Sequence, residues 1–167
     1  MNPTQQLQVT VVLISVSLIL AIVSQATAAW AHSSYDNSSI GLWQLCLSNI
    51  CRSFWDLGLK EAAYVDAVRA FSIMSMIFQC TALALTLMAF KNQSGNHRRN
   101  TSSVMMSAGV FMFIAMIVFS TKYHLSFSVS FGYSFYLGWI NFAFSFLIAG
   151  FIYCFKERNP PVYPVPE

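Results

Sequence analysis

Residues 133–155 read YSFYLGWINFAFSFLIAGFIYCF, with no Asp, Glu, Lys, Arg or His among them. About 20 predominantly apolar residues suffice for a helix to cross the hydrocarbon layer of a bilayer. Outward from this stretch, the spaces between charges repeat the same dimension. No formal charge occurs in residues 2–35, 70–90, 100–121 or 125–155. Four such gaps predict four transmembrane helices, near residues 7–29, 70–90, 103–120 and 133–155. Composition agrees: the 167 residues are 56% hydrophobic and 9% charged, whereas a soluble domain carries roughly 25% charged residues. The same values exclude a disordered chain, which needs low hydrophobicity and high charge. Four cysteines are too few for a disulfide scaffold.

The first gap has a competing reading. Residues 9–23 form an apolar run, and Ala26-Thr27-Ala28 resembles the cleavage site of a secretory signal peptide. The residues before Val9 carry no Lys or Arg, however, and a signal peptide has a positive n-region. Ser17, Ala21, Ser24 and Ala28 also recur at helical spacing. Small residues so placed let neighbouring helices approach closely. A retained first helix is the favoured reading.

Orientation follows from the basic residues. With both termini cytoplasmic, Lys91, Arg98, Arg99, Lys156 and Arg158 lie inside, with Glu157 and Glu167. Arg52, Lys60, Arg69 and Lys122 lie outside, balanced by Asp36, Asp56, Glu61 and Asp66. The loop 91–102, with three basic residues and no acid, carries most of the asymmetry. Cys46 and Cys51 then fall in the exterior connector 30–69, an oxidising location where a disulfide persists. Closing that ring contributes roughly 2 kcal/mol in the chain-entropy model. Cys80 and Cys154 fall within helices, where a lone cysteine acts as small apolar filler. Asn37-Ser38-Ser39 is an exterior glycosylation sequon; those at Asn92 and Asn100 are cytoplasmic and silent in this orientation.

The first connector is unlike a tether. Trp30, Gly41-Leu42-Trp43, Leu45, Phe54, Trp55 and Tyr64 provide material for a small packed layer. Residues 38–47 have weak strand character, with Gly41 as a turn or bulge. Tryptophans are enriched at the headgroup level, an anchoring role that suits Trp30 and Trp139 and explains less of Trp43. Trp30, Gly41-Leu42-Trp43-Gln44-Leu45-Cys46 and Cys51 together resemble the W…GLWxxC…C signature of the claudin, peripheral myelin protein and epithelial membrane protein superfamily. Arg69, in Ala67-Val68-Arg69-Ala70-Phe71, matches that family's arginine at the outer end of the second helix. Residues 131–139, FGYSFYLGW, resemble its approach to the fourth. The resemblance implies an all-α membrane protein: a left-handed four-helix bundle bearing a small extracellular antiparallel sheet from the first loop. It makes residues 1–155 a single claudin-like tetraspan domain, with exterior loops 30–69 and 121–132 and a Pro-rich cytoplasmic tail, 156–167. The short spacing from Cys46 to Cys51 looks most like the lens fibre intrinsic membrane protein and related small claudin-like proteins. That spacing and the ending Val165-Pro166-Glu167 both depart from true claudins, which weakens the case for a paracellular barrier.

Chemistry is sparse. Intramembrane ionisable groups mark catalytic and proton-relay sites, and none of the four predicted spans contains one: every charge is placed in a loop or tail. Gln79 and Asn141 read as interhelical hydrogen-bonding residues. His32, His97 and His124 have no metal-ligand spacing, and no phosphate loop or nucleophile elbow occurs. Neither a cofactor nor a metal is expected. Arg98-Arg99 is too short for a nucleic-acid patch and reads as a charge anchor at lipid headgroups. Arg69, three residues after Asp66, is read either as a helix-end ion pair or snorkelling to the interface or, by the resemblance, as fixing the first loop on the bundle. Pro160-Pro161-Val162-Tyr163 is a PPxY segment that WW domains bind in extended form; a helix stop followed by a stiff tail is the alternative.

The leading expectation is a non-enzymatic plasma-membrane protein. It would act in cell–cell contact or membrane organisation through the loop braced by Cys46 and Cys51. Its partners would be membrane lipids and other membrane proteins, or further copies of itself. The alternative is a regulatory or trafficking accessory subunit of another membrane protein.

Overall fold

The computed structural model describes residues 3–33, 38–47, 50–54, 56, 63–91, 95–123 and 129–156. The four apolar stretches form α1 (Pro3–Ala26), α2 (Ala63–Lys91), α3 (Gly95–Tyr123) and α4 (Tyr133–Lys156). Each contains a span long and apolar enough to cross a membrane. α4 starts at the expected residue, but α1 stops at Ala26, and α2 and α3 overrun their charge-free gaps. A charge-free gap marks the part of a helix that meets hydrocarbon; the backbone ladder continues into the headgroup layer, where charges are solvated. The expectation that every charge lies in a loop or tail is therefore corrected. Asp66 and Arg69 sit in the opening turns of α2, Arg98 and Arg99 in those of α3, and Lys91, Lys122 and Lys156 near helix C-termini. The connector expected at 91–102 shrinks to the short break between Lys91 and Gly95.

The helices form a ring in which α1 and α3 each pack on α2 and α4. Their interior is smaller and more polar than their outer surface. Ser17, Ala21 and Ser24 of the predicted stripe are buried, as are Ser72, Ser75, Gln79, Asn141 and Ser145; Ala28 lies beyond the end of α1. Val12, Ile19, Ile77, Leu87, Met106 and Leu147 face outward. This inversion follows from the solvent, because lipid tails are as apolar as leucine and give no hydrophobic reward for burying it between helices. Small residues permit close approach, and side-chain hydrogen bonds join the helices. Each of the four interfaces has one: Gln25 Nε2 donates to Ser72 O at 3.2 Å, and Ser75 Oγ to Ala108 O at 2.8 Å. Ser102 Oγ donates to Ala149 O at 2.9 Å, and Ser17 Oγ to Asn141 Oδ1 at 2.8 Å. Cys80 and Cys154 are exposed on the outer surface rather than filling the interior.

One end of the bundle carries an antiparallel sheet of β1 (Ala31–Ser33), β2 (Ser38–Ile40), β3 (Gln44–Leu47), β4 (Ile50–Ser53) and β5 (Val129–Phe131). Its spatial order is β4-β3-β2-β1-β5. The weak strand character of residues 38–47 resolves into β2 and β3, with Gly41 between them. The expected sheet from the first loop is present as β1–β4, and a fifth strand extends it. That strand comes from the connector between α3 and α4 and pairs with β1 in the register Ala31↔Phe131, covering what would otherwise be an open edge. A usable signal was present: Leu125-Ser-Phe-Ser-Val-Ser-Phe131 alternates apolar and polar residues with the strand period.

Candidate functional site

The sheet is fastened to the bundle at three places. The first is Trp30. Expected at the membrane interface, it is instead fully buried beneath the sheet. Its ring meets Phe119 edge-on at 4.9 Å between centroids and Phe135 at 6.4 Å. Its indole Nε1 donates to Ser24 O at 2.7 Å, a carbonyl in the last turn of α1 that has no partner within its own helix. Its backbone joins both sides of the sheet: the amide donates to Ile40 O at 3.0 Å, and the carbonyl accepts from the Gly132 amide at 3.0 Å. A residue that satisfies a helix end, fills the core and pairs in the sheet cannot also sit in the headgroup layer. Trp139 is half-buried among Phe113, Phe135 and Phe142.

The second fastening is a close backbone approach. A Cβ on Gly41 would lie 2.6 Å from the Cα of Ala28, so only glycine lets the turn before β3 rest on the segment leaving α1. Leu42, next in sequence, is buried in the same core cluster as Trp30.

Arg69 is the third. It is only 5% exposed. Its Nε donates to Leu42 O at 2.6 Å, and its Nη1 donates to Asp66 Oδ1 at 3.2 Å. The guanidinium carbon lies 4.8 Å from the centre of the Trp43 ring and 5.5 Å from that of Phe54. Those rings flank the β3–β4 hairpin, Trp43 just before β3 and Phe54 just after β4, and the Phe54 amide donates to Trp43 O at 3.4 Å. One cation thus holds both strands at the hairpin's base. Desolvated cation–π contacts are worth about 2 kcal/mol. The Asp66 pair adds little, because its carboxylate is 63% exposed. Free snorkelling of Arg69 does not describe this environment.

Farther along the hairpin, Cys46 and Cys51 are cross-strand partners and form a disulfide. Beyond it, Leu47 and Ile50 are paired and are 47% and 64% exposed. The hairpin is therefore clamped at its base by Arg69, stapled by the disulfide, and bears an exposed apolar pair just beyond it. Sequence reasoning placed Trp43 near the disulfide but missed that Trp43 and Phe54 share a cation.

Deeper in the bundle, Ser17, Gln79, Asn141 and Ser145 form one buried group. Gln79 Nε2 donates to Asn141 Oδ1 at 3.4 Å, while Gln79 Oε1 and Asn141 Nδ2 have no partner among the described residues. His32 lies on β1, and His97 on α3 at the other end of the bundle. Among the described residues no three His, Cys, Asp or Glu side chains gather as a metal site. Asn37, His124, Pro160, Pro161 and Tyr163 lie outside the described residues.

Four membrane-crossing helices, capped at one end by a small sheet with a disulfide-stapled hairpin, define an integral multi-pass membrane protein of the claudin-like tetraspan fold. The chain belongs to the PMP-22/EMP/MP20/Claudin family, whose model matches residues 4–153. Epithelial membrane protein 1 of Rattus norvegicus is 33% identical over 84% of this chain and 90% of its own length. Lens fiber membrane intrinsic protein of the same species is 28% identical over 83% and 84%. Epithelial membrane protein 2 of Bos taurus is 28% identical over 71% and 77%.

Proposed function

We propose that this protein works without catalysis, as a plasma-membrane contact and membrane-organising protein whose acting surface is the β3–β4 hairpin. One observation carries the reading: an apolar pair, Leu47 and Ile50, stands exposed on a hairpin clamped by Arg69 and closed by a disulfide. A pre-ordered surface loses little conformational entropy when it meets a partner, and such bracing is superfluous for a loop that only links two helices. The disulfide favours an oxidising exterior for this end, hence cytoplasmic termini. Asn37, just before β2, would then be a glycosylation site and Pro160, Pro161 and Tyr163 a cytoplasmic WW-domain ligand. The proposed partners are surrounding lipids and other membrane proteins, including further copies.

The test is expression alone in non-adherent cells. The protein should concentrate where cells touch. Leu47→Asp with Ile50→Asp should abolish that enrichment while surface delivery, measured by biotinylation, stays intact. A wild-type protein that stays diffuse until a second membrane protein is supplied would replace this reading with that of an accessory subunit. Loss of WW-domain capture on Tyr163→Ala would then identify its cytoplasmic contact.

A further inference from the structure

Two apolar clusters fill the bundle at different levels. One, below the sheet, holds Val68, Met112, Met116 and Phe135; the other, toward the far end, holds Ile14, Ala82, Met105 and Ile148. Between them every helix brings a polar or small residue to the interior. These are Ser17 on α1, Gln79 on α2, Ala108 on α3, and Asn141 and Ser145 on α4, all fully buried. This level lies well inside the four membrane spans.

Its hydrogen bonds do not close. Ser17 Oγ and Gln79 Nε2 both donate to Asn141 Oδ1, at 2.8 and 3.4 Å, while Ser145 Oγ donates within its own helix to Asn141 O at 2.8 Å. Gln79 Oε1 and Asn141 Nδ2 are left without a partner among the described residues. Turning both amides over does not cure this. Asn141 Nδ2 would then donate to Ser17 and Gln79, and Gln79 Nε2 and Asn141 Oδ1 would be stranded instead. Turning one alone sets two nitrogens or two oxygens face to face. Whichever way the amides point, the group lacks one acceptor for an N–H and one donor for a C=O. Lipid supplies neither, and an unmet polar group in hydrocarbon is costly.

This deficit defines the ligand that would meet it. A cation cannot accept from an N–H, an anion cannot donate to a carbonyl oxygen, and the group carries no charge to offset either. The guest is therefore neutral, both donates and accepts, and is small enough for a centre enclosed by four helices. Short side chains at this level, Ser17, Ala108 and Ser145, give it room that a Leu or Phe would take. Water meets all of these conditions, and buried waters in proteins serve polar groups in this way. We propose that one water molecule is bound at the centre of the bundle, accepting from Asn141 Nδ2 and donating to Gln79 Oε1. It bridges α2 and α4, which stand across the ring from each other. It thereby completes a polar tie through the bundle axis that the direct 3.4 Å contact only begins.

The experiment uses the full-length chain, isotope-labelled, reconstituted in phosphatidylcholine bilayers and studied by water-edited solid-state NMR. The two side-chain amides are assigned by their loss in Asn141→Leu and Gln79→Leu. Water magnetisation should reach the Asn141 Nδ2 protons about fivefold sooner than the backbone amides of Ala21 and Ala82, as suits a partner at hydrogen-bond distance. Gln79→Met keeps the side-chain length and removes both polar atoms; it should weaken the transfer to Asn141 about fivefold, the loss of one hydrogen bond from the site. If Gln79→Met loses helical circular dichroism, the wild-type contrast decides the matter alone. Transfer to Asn141 as slow as to Ala82 would mean a dry centre and overturn the proposal. Ala21 and Ala82 filling as fast as Asn141 would do so too, by showing water spread through the bundle. So would undiminished transfer in Gln79→Met, since the water would then not bridge the two amides.

Discussion

The two halves of the molecule hold together by different means. At the sheet end a few strong, specific contacts act on one short stretch of chain: Trp30 beneath, Gly41 against Ala28, Arg69 at the hairpin base and a disulfide along it. Through the bundle the load is spread over small residues and single hydrogen bonds at each helix interface. The cause is the surroundings. The sheet stands out of the hydrocarbon on short strands that cannot build a core of their own, so it needs discrete fasteners. The helices satisfy their own backbones in lipid and need from one another only shape and modest polar links.

That contrast can be broken by substitutions of graded severity. Trp30→Ala should cost most, about 3–5 kcal/mol for a large buried aromatic side chain, read as the free energy of unfolding in detergent and as loss of surface delivery. Arg69→Ala should follow at about 3 kcal/mol, combining a charged hydrogen bond with cation–π contact. Arg69→Lys should recover only part of this, since an ammonium lacks the planar fork. Limited proteolysis near the hairpin should detect the loss before helicity falls; a hairpin equally resistant in Arg69→Ala would mean that the guanidinium does not fasten it. Cys46→Ser with Cys51→Ser should cost about 2 kcal/mol, and reducing agent should reproduce the effect in wild type but not in the variant.

Smaller effects sharpen the bundle side. Asn141→Leu alone should cost about 1 kcal/mol, because it removes the hydrogen bonds from Ser17 and from Gln79 at a mean of about 0.6 kcal/mol each, measured by the same unfolding assay. Gln79→Leu with Asn141→Leu should cost less than the two single changes added together, because removing both partners leaves no orphaned amide. Asp66→Ala should be smallest, below about 0.5 kcal/mol, since its carboxylate is solvated. An Asp66→Ala effect as large as that of Arg69→Ala would show that the ion pair, and not the aromatic and carbonyl contacts, holds the hairpin.

Much of this was legible in advance, for identifiable reasons. The four crossings follow from charge placement, and the beginning of α4 at Tyr133 coincides with the expected one. Cys46 and Cys51 lie too close in sequence, in too aromatic a loop, to be read as unrelated. Trp30 misled because an amphipathic ring near a helix end suits the interface equally well; only the presence of Phe119 and Phe135, from α3 and α4, makes a buried site for it. The overrun of α2 and α3 into the headgroup layer escaped because absence of charge reports the hydrocarbon boundary, not the end of a hydrogen-bonded ladder.

By itself, then, the sequence determined that the chain lives in a membrane, how many times it crosses, and which loop is braced, because the distribution of charge, apolar residues and cysteine is a property of the chain read one residue at a time. Tertiary structure alone decided what the bracing consists of. Arg69 meets Leu42, Trp43 and Phe54, and Val129–Phe131 meets Ala31–Ser33. These are contacts between segments far apart in sequence, and no local pattern encodes which distant partner a cation or a strand edge will find.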